Sequence, residues 1–307
     1  MNTIPIVFCF DNNLVAPACV ALSSLLMNAK EDTFYDIFIL HSCRQTLNHE
    51  DVDRLPSYYK NCRIQYRTVD STFDEAFEIR GITTPAYYRL LIPELIPEYD
   101  KVLYSDVDVI FRSDLSPFYN ISLDDNYFAA VEVCTQLRPD IYKYAKNIIK
   151  IDVDKGYYYS GNLVINSKKI RDEHIVDKFK EHAGVDYLFQ DLDILNIVCN
   201  GKIKPLTPAF CLTNYFYELI VTQREKVEQL YTKEEIDSIL SRGIIHYNGA
   251  KPWKNNCHNM DIWWFYYRQS IFYNEEFTYN FYMNRIYEIE SWTFSKRLKH
   301  LFRYFKK

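Results

Sequence analysis

The segment Lys101-Val-Leu-Tyr-Ser-Asp-Val-Asp-Val-Ile110 places two acidic residues inside an apolar run. Residues 101–105 are predicted to form a buried β-strand. Residues two apart in an extended chain project to the same side, so Asp106 and Asp108 can meet at the carboxyl end of that strand. Two acids in apolar surroundings are costly without a counter-charge, which a divalent cation would supply. The alternative is that both acids cap a loop and accept its backbone hydrogen bonds.

The Asp-x-Asp pattern occurs four times in the chain, so the pattern alone is weak evidence. The other copies are Asp51-Val52-Asp53, Asp152-Val153-Asp154 and Asp191-Leu192-Asp193. The first two of these lie in polar surroundings and are predicted to be solvated surface. The copy at Asp106 and Asp108 follows an apolar strand, and there we predict a cation site.

Strand-like and helix-like segments alternate before this acidic pair. The predicted strands are residues 4–10, 36–41 and 63–69, and the predicted helices are residues 14–29, 48–59 and 87–92. Strands joined by helical crossovers form a mostly parallel α/β sheet with helices on both faces. Such sheets bind ligands at the carboxyl ends of their strands, where the two acids are predicted to lie.

The alternation is less regular after residue 128. Further strands are predicted at residues 128–133, 161–165 and 244–247, and helices at residues 168–182 and 190–199. We find no internal repeat and no Gly/Ser-rich linker. The economical interpretation is one α/β domain at residues 1–265, followed by a helical tail at residues 266–307.

Glycine usage excludes several classes of nucleotide-binding protein. The chain has seven glycines, and the first of them is Gly81. A dinucleotide-binding G-x-G-x-x-G motif or a P-loop needs glycines directly after an early strand, where the backbone approaches phosphate. The first strand here leads instead into Asp11-Asn12-Asn13. A bound nucleotide would need another partner for its phosphates, and a metal ion is the obvious one.

The net charge and the cysteine content indicate which partners and which cellular compartment to expect. A formal net charge of -5 over 307 residues gives no electrostatic footprint for nucleic acid. The eight cysteines contain no C-x-x-C pair, which favours a reducing compartment. The sequence shows no secretory leader and no apolar stretch of about 18 residues. We therefore expect a cytoplasmic protein with no nucleic-acid partner.

A histidine far downstream offers a third ligand for the cation. His246 lies in Ile244-Ile-His-Tyr-Asn-Gly-Ala-Lys-Pro-Trp253. A lone histidine on a short apolar strand is more often a core residue than a ligand. Its neighbours favour a ligand, because Gly249 permits close backbone approach and Lys251 supplies a charge suited to a diphosphate. An imidazole beside two carboxylates favours Mn²⁺ over Mg²⁺.

With these residues in view, the sequence resembles the family 8 glycosyltransferases, which include bacterial lipopolysaccharide galactosyl- and glucosyltransferases and glycogenin. The resemblance extends from residue 4 to about residue 255, and six blocks in the same order carry it. The blocks are Val7-Phe-Cys-Phe-Asp-Asn-Asn13, Thr84-Pro-Ala-Tyr-Tyr-Arg-Leu90, Lys101-Val-Leu-Tyr-Ser-Asp-Val-Asp-Val-Ile110, Tyr159-Ser-Gly-Asn-Leu-Val-Ile-Asn166, Gln190-Asp-Leu-Asp-Ile-Leu-Asn196 and His246-Tyr-Asn-Gly-Ala-Lys-Pro-Trp253.

The resemblance implies a GT-A type, Rossmann-like α/β fold, a UDP-sugar donor, Mn²⁺ and retention of anomeric configuration. It also implies, by position, a set of residues around the donor and the metal. Asp106, Asp108 and His246 would hold the metal, and the residues that contact the donor would be Asp11, Asn13, Arg89, Asp106, Val107, Gly249 and Lys251. Arg89 and Asp191 are the catalytic candidates that it implies, with Asp191 holding sugar hydroxyls. The alternatives are a surface salt bridge for Arg89 and a helix N-cap for Asp191.

Two positions depart from the family pattern. Relatives often have Asn where Tyr159 stands and Gln where Leu192 stands. The first change affects recognition of the donor sugar. The second removes a polar side chain close to the reacting carbon and leaves only Asp191 or Asp193 as a carboxylate nucleophile. A front-side attack, in which the leaving phosphate takes the acceptor's proton, then fits better.

The expected function is transfer of galactose or glucose from a UDP-sugar to a glycan or a lipid-linked saccharide in the synthesis of lipopolysaccharide or another cell-surface polysaccharide. A glycogenin-like self-glucosylating enzyme and a UDP-sugar hydrolase are alternatives that the sequence does not separate. A non-catalytic sugar-nucleotide binder is a third alternative. Retention of both acids, His246 and Lys251 argues against it.

The last 17 residues, 291–307, are predicted to form a basic amphipathic helix. They contain six Lys or Arg residues and no acid. One apolar stripe follows the i, i+3, i+4, i+7 spacing, and it consists of Leu298, Leu301, Phe302 and Phe305. This pattern is typical of a helix that lies on an anionic membrane surface. The alternative is a C-terminal helix that docks on the protein body.

Overall fold

The computed structural model describes residues 2–70, 73, 84–182 and 184–304. Within these ranges the strands are β1 Asn2–Cys9, β2 Thr33–Ser42, β3 Cys62–Val69, β4 Val102–Ser105, β5 Val109–Phe111, β6 Phe128–Glu132, β7 Tyr158–Ile165, β8 Ile203–Leu206, β9 Leu212–Thr213 and β10 Ile244–His246. The α-helices are α1 Val15–Met27, α2 Leu55–Tyr58, α3 Ile92–Leu95, α4 Ser116–Tyr119, α5 Pro139–Asn147, α6 Ser167–Asp172, α7 Ile175–Glu181, α8 Asp191–Val198, α9 Asn214–Thr222, α10 Arg224–Val227, α11 Lys233–Ser241, α12 Met260–Gln269, α13 Glu275–Glu290 and α14 Phe294–Tyr304.

The main sheet has seven strands in the order β3-β2-β1-β4-β7-β6-β8. The first four of these run parallel to one another, and β6 and β8 are also parallel. Strand β7 is antiparallel to both of its neighbours. The predicted mostly parallel sheet is confirmed. Because β1 and β4 are parallel neighbours, their carboxyl ends at Cys9 and Ser105 open at the same edge.

Helices cover both faces of this sheet, as predicted. Alternate residues of β1 enter different apolar clusters, since successive side chains of a strand point to opposite faces. Ile6 and Phe8 pack with Leu22 of α1 on one face. Val7 packs on the other face in the cluster that holds Phe179 of α7. Both clusters consist mainly of buried side chains, and they hold β1 between the helices on its two faces.

A second sheet, β5-β10-β9, was not predicted. Strand β4 ends at Ser105, and β5 begins at Val109 in this second sheet, antiparallel to β10. Residues 106–108 therefore form a bend between two sheets. The prediction that Asp106 and Asp108 lie in one extended strand is wrong. They come together because the chain turns out of one sheet and into the other.

Three of the predicted helices differ from the observed ones, and one of them, 87–92, is a 3₁₀ helix up to Leu91. Residues 48–59 form only a 3₁₀ turn, Val52–Arg54, and the short α2, which has Pro56 in its first turn. Proline has no N–H to continue an α-helical ladder, so a single long helix cannot pass through this position. Residues 168–182 form α6 and α7 instead of one helix, and His174 between them has a left-handed backbone with φ of 53°.

An aromatic cluster joins α12 and α13, the first two of the C-terminal helices. The Trp264 ring of α12 lies 4.6 Å from the Phe281 ring of α13, centroid to centroid, and both side chains are buried. The predicted boundary between residues 265 and 266 falls inside α12, and the division into domain and tail stays a prediction. Part of the predicted tail helix is observed as α14, while Phe305, Lys306 and Lys307 lie outside the described residues. None of the described helices has the length and apolar character that crossing a bilayer requires.

Candidate functional site

A cavity of about 520 Å³ opens at the carboxyl edge of the main sheet. Its walls come from the bend after β4, from β7, from the start of α8 and from the segment after β10. Most of the predicted site residues line this single cavity. They are Arg89, Asp106, Asp108, Asp191, His246, Gly249 and Lys251.

Three of these side chains converge closely enough to share one cation. The Nε2 atom of His246 lies 3.2 Å from Oδ1 of Asp108 and 3.5 Å from Oδ2 of Asp106. One ligand atom from each residue lies within 4.8 Å of the other two, and among the described residues no other such cluster occurs. Two carboxylate oxygens and one imidazole nitrogen form a donor set that Mn²⁺ accepts, with positions left for phosphate oxygens.

A glycine makes room for this cluster. The backbone N–H of Asp106 donates to the carbonyl oxygen of Gly161 at 2.8 Å. A Cβ atom at Gly161 would lie 2.4 Å from Cε1 of His246 and 2.8 Å from Oδ2 of Asp106. Any side chain at residue 161 would therefore displace the imidazole or the carboxylate. The residues present fit a divalent cation, and Gly161 is one reason that they do.

His246 and Asp108 each shift the pKa of the other. Burial disfavours the imidazolium, but the Asp108 carboxylate outweighs it and raises the pKa of His246 well above its ordinary value. Burial of Asp108 is likewise outweighed by His246 and Lys251, which lower its pKa. The Lys251 ammonium donates to Oδ2 of Asp108 and, at 2.7 Å, to the carbonyl oxygen of Tyr247. The imidazole and the Lys251 ammonium thus both lie against the half-buried carboxylate of Asp108.

Arg89 is buried between two acids of the site. Its Nη2 donates to Oδ1 of Asp106 at 2.8 Å, and its Nε lies 3.2 Å from Oδ2 of Asp191. Nη1 donates to the carbonyl oxygen of Ser160 at 2.7 Å. The phenol of Tyr104 donates to the same Asp106 oxygen at 2.6 Å. The alternative of a surface salt bridge is wrong for Arg89, because the guanidinium is enclosed and bridges two parts of the site.

Asp191 occupies the first turn of α8 and faces the cavity. Its Oδ2 accepts a hydrogen bond of 2.8 Å from the hydroxyl of Ser160, so the carboxylate is not an N-cap as the alternative held. Burial raises the pKa of Asp191 to about 6, against the lowering effect of Arg89 and Ser160. The side chain of Asn196 fixes α8 on β7 by exchanging two hydrogen bonds of 2.8 Å with the backbone of Tyr158.

Asp193 takes no part in the cavity. Its carboxylate accepts from the hydroxyls of Tyr144 and Tyr157 at 2.6 and 2.5 Å and from the backbone N–H of Phe189 at 2.8 Å. The side chain is fully buried. These contacts tie α5, β7 and the start of α8 together, so the role of Asp193 is structural and it is no candidate nucleophile.

The other predicted donor contacts lie apart from the cluster. Asp11 lines a second cavity of about 330 Å³, which also holds Tyr88. Asn13 is exposed, does not line that cavity, and donates its backbone N–H to Oδ1 of Asp11 at 2.9 Å. Val107 is buried in the core, so only its backbone could reach a ligand. The 3₁₀ helix Thr84–Leu91 joins the two cavities, since Tyr88 faces the second and Arg89 the first.

Four aromatic side chains also line the larger cavity. Rings of this kind pack against the apolar faces of sugars. The guanidinium of Arg138 lies 4.2 Å from the centre of the Tyr215 ring and pairs with Asp140 at 2.7 Å. The sequence did not identify most of this wall, which consists of Val133, Arg138, Ile141, Tyr157, Tyr159, Phe189, Leu192 and Tyr215. Only Tyr159 and Leu192 stood out, as departures from a pattern.

Comparison with known proteins identifies the family. Residues 5–257 match the sequence profile described as Glycosyl transferase family 8. The chain belongs to glycosyltransferase family 8. This family 8 glycosyltransferase is 25% identical over 260 residues to General stress protein A of Bacillus subtilis, covering 82% of this chain and 87% of that protein. It is 25% identical over 254 residues to an Escherichia coli lipopolysaccharide 1,2-glucosyltransferase, covering 79% of this chain and 71% of that protein.

A solved structure shares the fold of this family 8 glycosyltransferase. The galactosyltransferase LgtC, crystallised with donor and acceptor sugar analogues, superposes with a TM-score of 0.70 at 25% identity. The match covers 90% of this chain and 99% of the LgtC chain. The expected GT-A type fold, with a mostly parallel sheet between helices, is therefore confirmed.

Proposed function

We propose that this enzyme transfers a hexose, galactose or glucose, from a UDP-sugar to a saccharide acceptor with retention of configuration. A divalent cation, Mn²⁺ in preference to Mg²⁺, would be held by Asp106, Asp108 and His246. One observation carries the proposal. Ligand atoms from two chain segments that are 138 residues apart (from Asp108 to His246) lie within 4.8 Å of one another in the lining of a cavity of about 520 Å³.

The surrounding residues supply what a UDP-sugar would need. Gly249 and Lys251 follow β10 and face the cluster, where a diphosphate would bridge the cation and the ammonium. The cavity that Asp11 lines would hold the uridine, and the backbone N–H of Asn13 donates to the Asp11 carboxylate there. The backbone of Val107 lies between the two metal-ligating acids. Asp191 and Arg89 would bind hydroxyls of the donor sugar.

The protein's own groups support a front-side reaction. Lys251 would neutralise charge that develops on the leaving diphosphate, and a bound cation would add Lewis-acid stabilisation there. Leu192 is apolar and Asp193 is enclosed, while Asp191 is engaged by Arg89 and Ser160. The acceptor hydroxyl would form the new bond to the anomeric carbon as the bond to the phosphate oxygen breaks. The leaving phosphate oxygen would take the hydroxyl proton.

The relatives support a saccharide acceptor that becomes part of a cell-surface glycan. One relative is named for glucosyl transfer to lipopolysaccharide, and LgtC was crystallised with an acceptor sugar analogue. The aromatic wall that includes Tyr159, Phe189 and Tyr215 offers flat faces on which an acceptor ring could stack. We therefore propose a role in the synthesis of lipopolysaccharide or a related surface polysaccharide.

Release of UDP from different donors tests the proposed function. UDP-glucose, UDP-galactose and their N-acetyl forms are incubated with Mn²⁺, with and without saccharide acceptors, and with EDTA as the control. We expect Mn²⁺-dependent release from one hexose donor that rises at least about tenfold with a suitable acceptor. Equal release without acceptor would identify a hydrolase, and sugar bound to the protein would identify self-glucosylation. No release from any donor would contradict an enzyme and favour the third alternative, a non-catalytic sugar-nucleotide binder.

We also propose that the tail binds an anionic membrane from the cytoplasmic side, as a peripheral anchor near a lipid-linked acceptor. Three apolar side chains of α14 are turned to solvent: Phe294, Leu301 and Phe302 are 79%, 54% and 59% exposed, whereas Leu298 is half-buried. These exposures speak against the alternative of a stripe docked on the body. Exposed aromatic and basic side chains on one short helix are typical of interfacial binding.

Deletion of residues 291–307 is expected to release the protein from anionic vesicles. Each Lys or Arg near such a surface contributes about 1 kcal/mol, so loss of six should lower the partition coefficient by far more than about tenfold. Cosedimentation with phosphatidylserine-containing vesicles measures this, with phosphatidylcholine vesicles as the control. Donor hydrolysis by the truncated chain should be unchanged, which shows that it folds. Undiminished vesicle binding would refute the anchor.

A further inference from the structure

We infer that Cys211 is a positioning residue for the metal ligand His246. Its sulfur accepts the Nδ1–H of the imidazole and so keeps the lone pair of Nε2 pointed at Asp106 and Asp108. This inference rests on the proposed metal site and adds to it a residue outside the three ligands. No motif in the sequence singled out Cys211, which is one of six buried cysteines among eight free ones.

The contact follows from the pairing of two short strands. Sγ of Cys211 lies 3.4 Å from Nδ1 of His246, within the range of a sulfur hydrogen bond. Strands β9 and β10 are parallel, with Leu212 opposite Ile245 and Thr213 opposite His246. Cys211, just before β9, is thereby held beside the imidazole and is only 1% exposed.

A glycine brings this segment close to β10. Gly243 has a φ of 83°, and a Cβ on it would lie 1.8 Å from the carbonyl oxygen of Ala209. The 3₁₀ helix Pro208–Phe210 therefore packs against the start of β10 at a distance that only glycine permits. The position of Cys211 beside His246 therefore depends on the glycine at residue 243.

The imidazole is held on three sides. Nε2 faces the two carboxylates at 3.2 and 3.5 Å, and Gly161 packs against Cε1, where a Cβ would come within 2.4 Å. Among the described residues, the Cys211 sulfur is the one hydrogen-bond partner of Nδ1. The two ring nitrogens therefore have different partners, the Cys211 sulfur at Nδ1 and the two carboxylates at Nε2.

These partners determine which tautomer is stable. A neutral imidazole carries one proton, and a proton on Nδ1 leaves Nε2 free to coordinate a cation. Histidines that bind metals usually donate the other N–H to a carboxylate, a carbonyl oxygen or water, and loss of that partner weakens metal binding by about 10–100-fold. Sulfur is a weaker acceptor than oxygen, so we expect an effect at the lower end of that range.

Three variants of the full-length chain test the inference. Mn²⁺ affinity is measured by calorimetry in the presence of UDP. Cys211→Ala should weaken Mn²⁺ binding about tenfold, and Cys211→Ser, which retains an acceptor, should stay within about threefold of the wild type. Cys199→Ala is the matched control, because Cys199 is also fully buried but packs in the cluster on the other side of the main sheet. It should lower stability without changing Mn²⁺ affinity.

A second measurement needs no variant. With Mg²⁺ and UDP bound to wild-type protein carrying ¹⁵N-labelled histidine, the nitrogen spectrum of His246 should show a protonated Nδ1 and an unprotonated Nε2. A proton on Nε2 would overturn the inference, as would equal Mn²⁺ affinity of the wild type and Cys211→Ala. Failure of the wild type itself to bind Mn²⁺ would overturn the proposed metal site instead.

Discussion

Replacing Asp108 by Asn is expected to lower kcat/KM for hexose transfer by about a thousandfold or more. The carboxylate is one of two that face His246, and it also accepts a hydrogen bond from the ammonium of Lys251. An amide is neutral and offers the cation a weaker oxygen, so several kcal/mol of stabilisation of the leaving diphosphate would be lost, and about 1.4 kcal/mol corresponds to tenfold in rate. Steady-state kinetics with the preferred UDP-hexose measure the effect.

The chain contains its own matched control for this substitution. Asp154 belongs to another of the three Asp-Val-Asp sequences, but it is exposed on a 3₁₀ turn outside the main cavity. Asp154→Asn should leave kcat/KM within about twofold of the wild type, since surface substitutions change stability by only about 0.5 kcal/mol. Full activity of Asp108→Asn at saturating Mn²⁺ would show that Asp108 is not a ligand of the metal.

Replacing Arg89 by Met is expected to reduce both stability and activity strongly. The guanidinium is the buried counter-charge of Asp106 and Asp191 and also donates to the Ser160 carbonyl. Removing one partner from a buried ion pair costs about 3–5 kcal/mol, because the remaining charge stays unpaired. Urea unfolding measures the loss of stability. Activity should fall at least about a hundredfold under conditions where the variant is folded, because both carboxylates lose their fixed orientation.

Two further variants separate the causes. Arg89→Lys retains one charge without the planar fork, so it should recover part of the stability and little of the activity. Arg54→Met removes an ion pair with Asp51 in which both side chains are more than half exposed, and it should cost less than about 1 kcal/mol. Wild-type turnover by a folded Arg89→Met variant would show that Arg89 plays no part in the reaction.

The sequence predicted the main sheet well, because apolar runs and crossovers are local signals. Strands β1, β2 and β3 lie within three residues of their predicted bounds. The strand at residues 244–247 was predicted, but the second sheet was not, since β5 and β9 have only three and two residues and are stabilised by pairing with β10. That pairing has no local signal, although it is what brings His246 to the bend after β4.

The candidate site shows the same division. Arg89, Asp106 and His246 belong to blocks of the family pattern, and the structure brings them together. Cys211 and Tyr215 face the same region but lie between the blocks, so nothing in the sequence marked them. Gly161 belongs to one of these blocks, but its role is visible only in the structure. A glycine is needed there because a Cβ would occupy the space of the imidazole.

The most direct test of the central claim is the position of Mn²⁺ in crystals grown with UDP, located by anomalous diffraction. We expect one strong peak bounded by Asp106, Asp108 and Nε2 of His246, at roughly 2.0–2.4 Å from their ligand atoms as for other hard divalent cations. Oxygens of the UDP diphosphate should complete its coordination. A peak at another place, or active crystals with no peak between these three side chains, would contradict the proposed site.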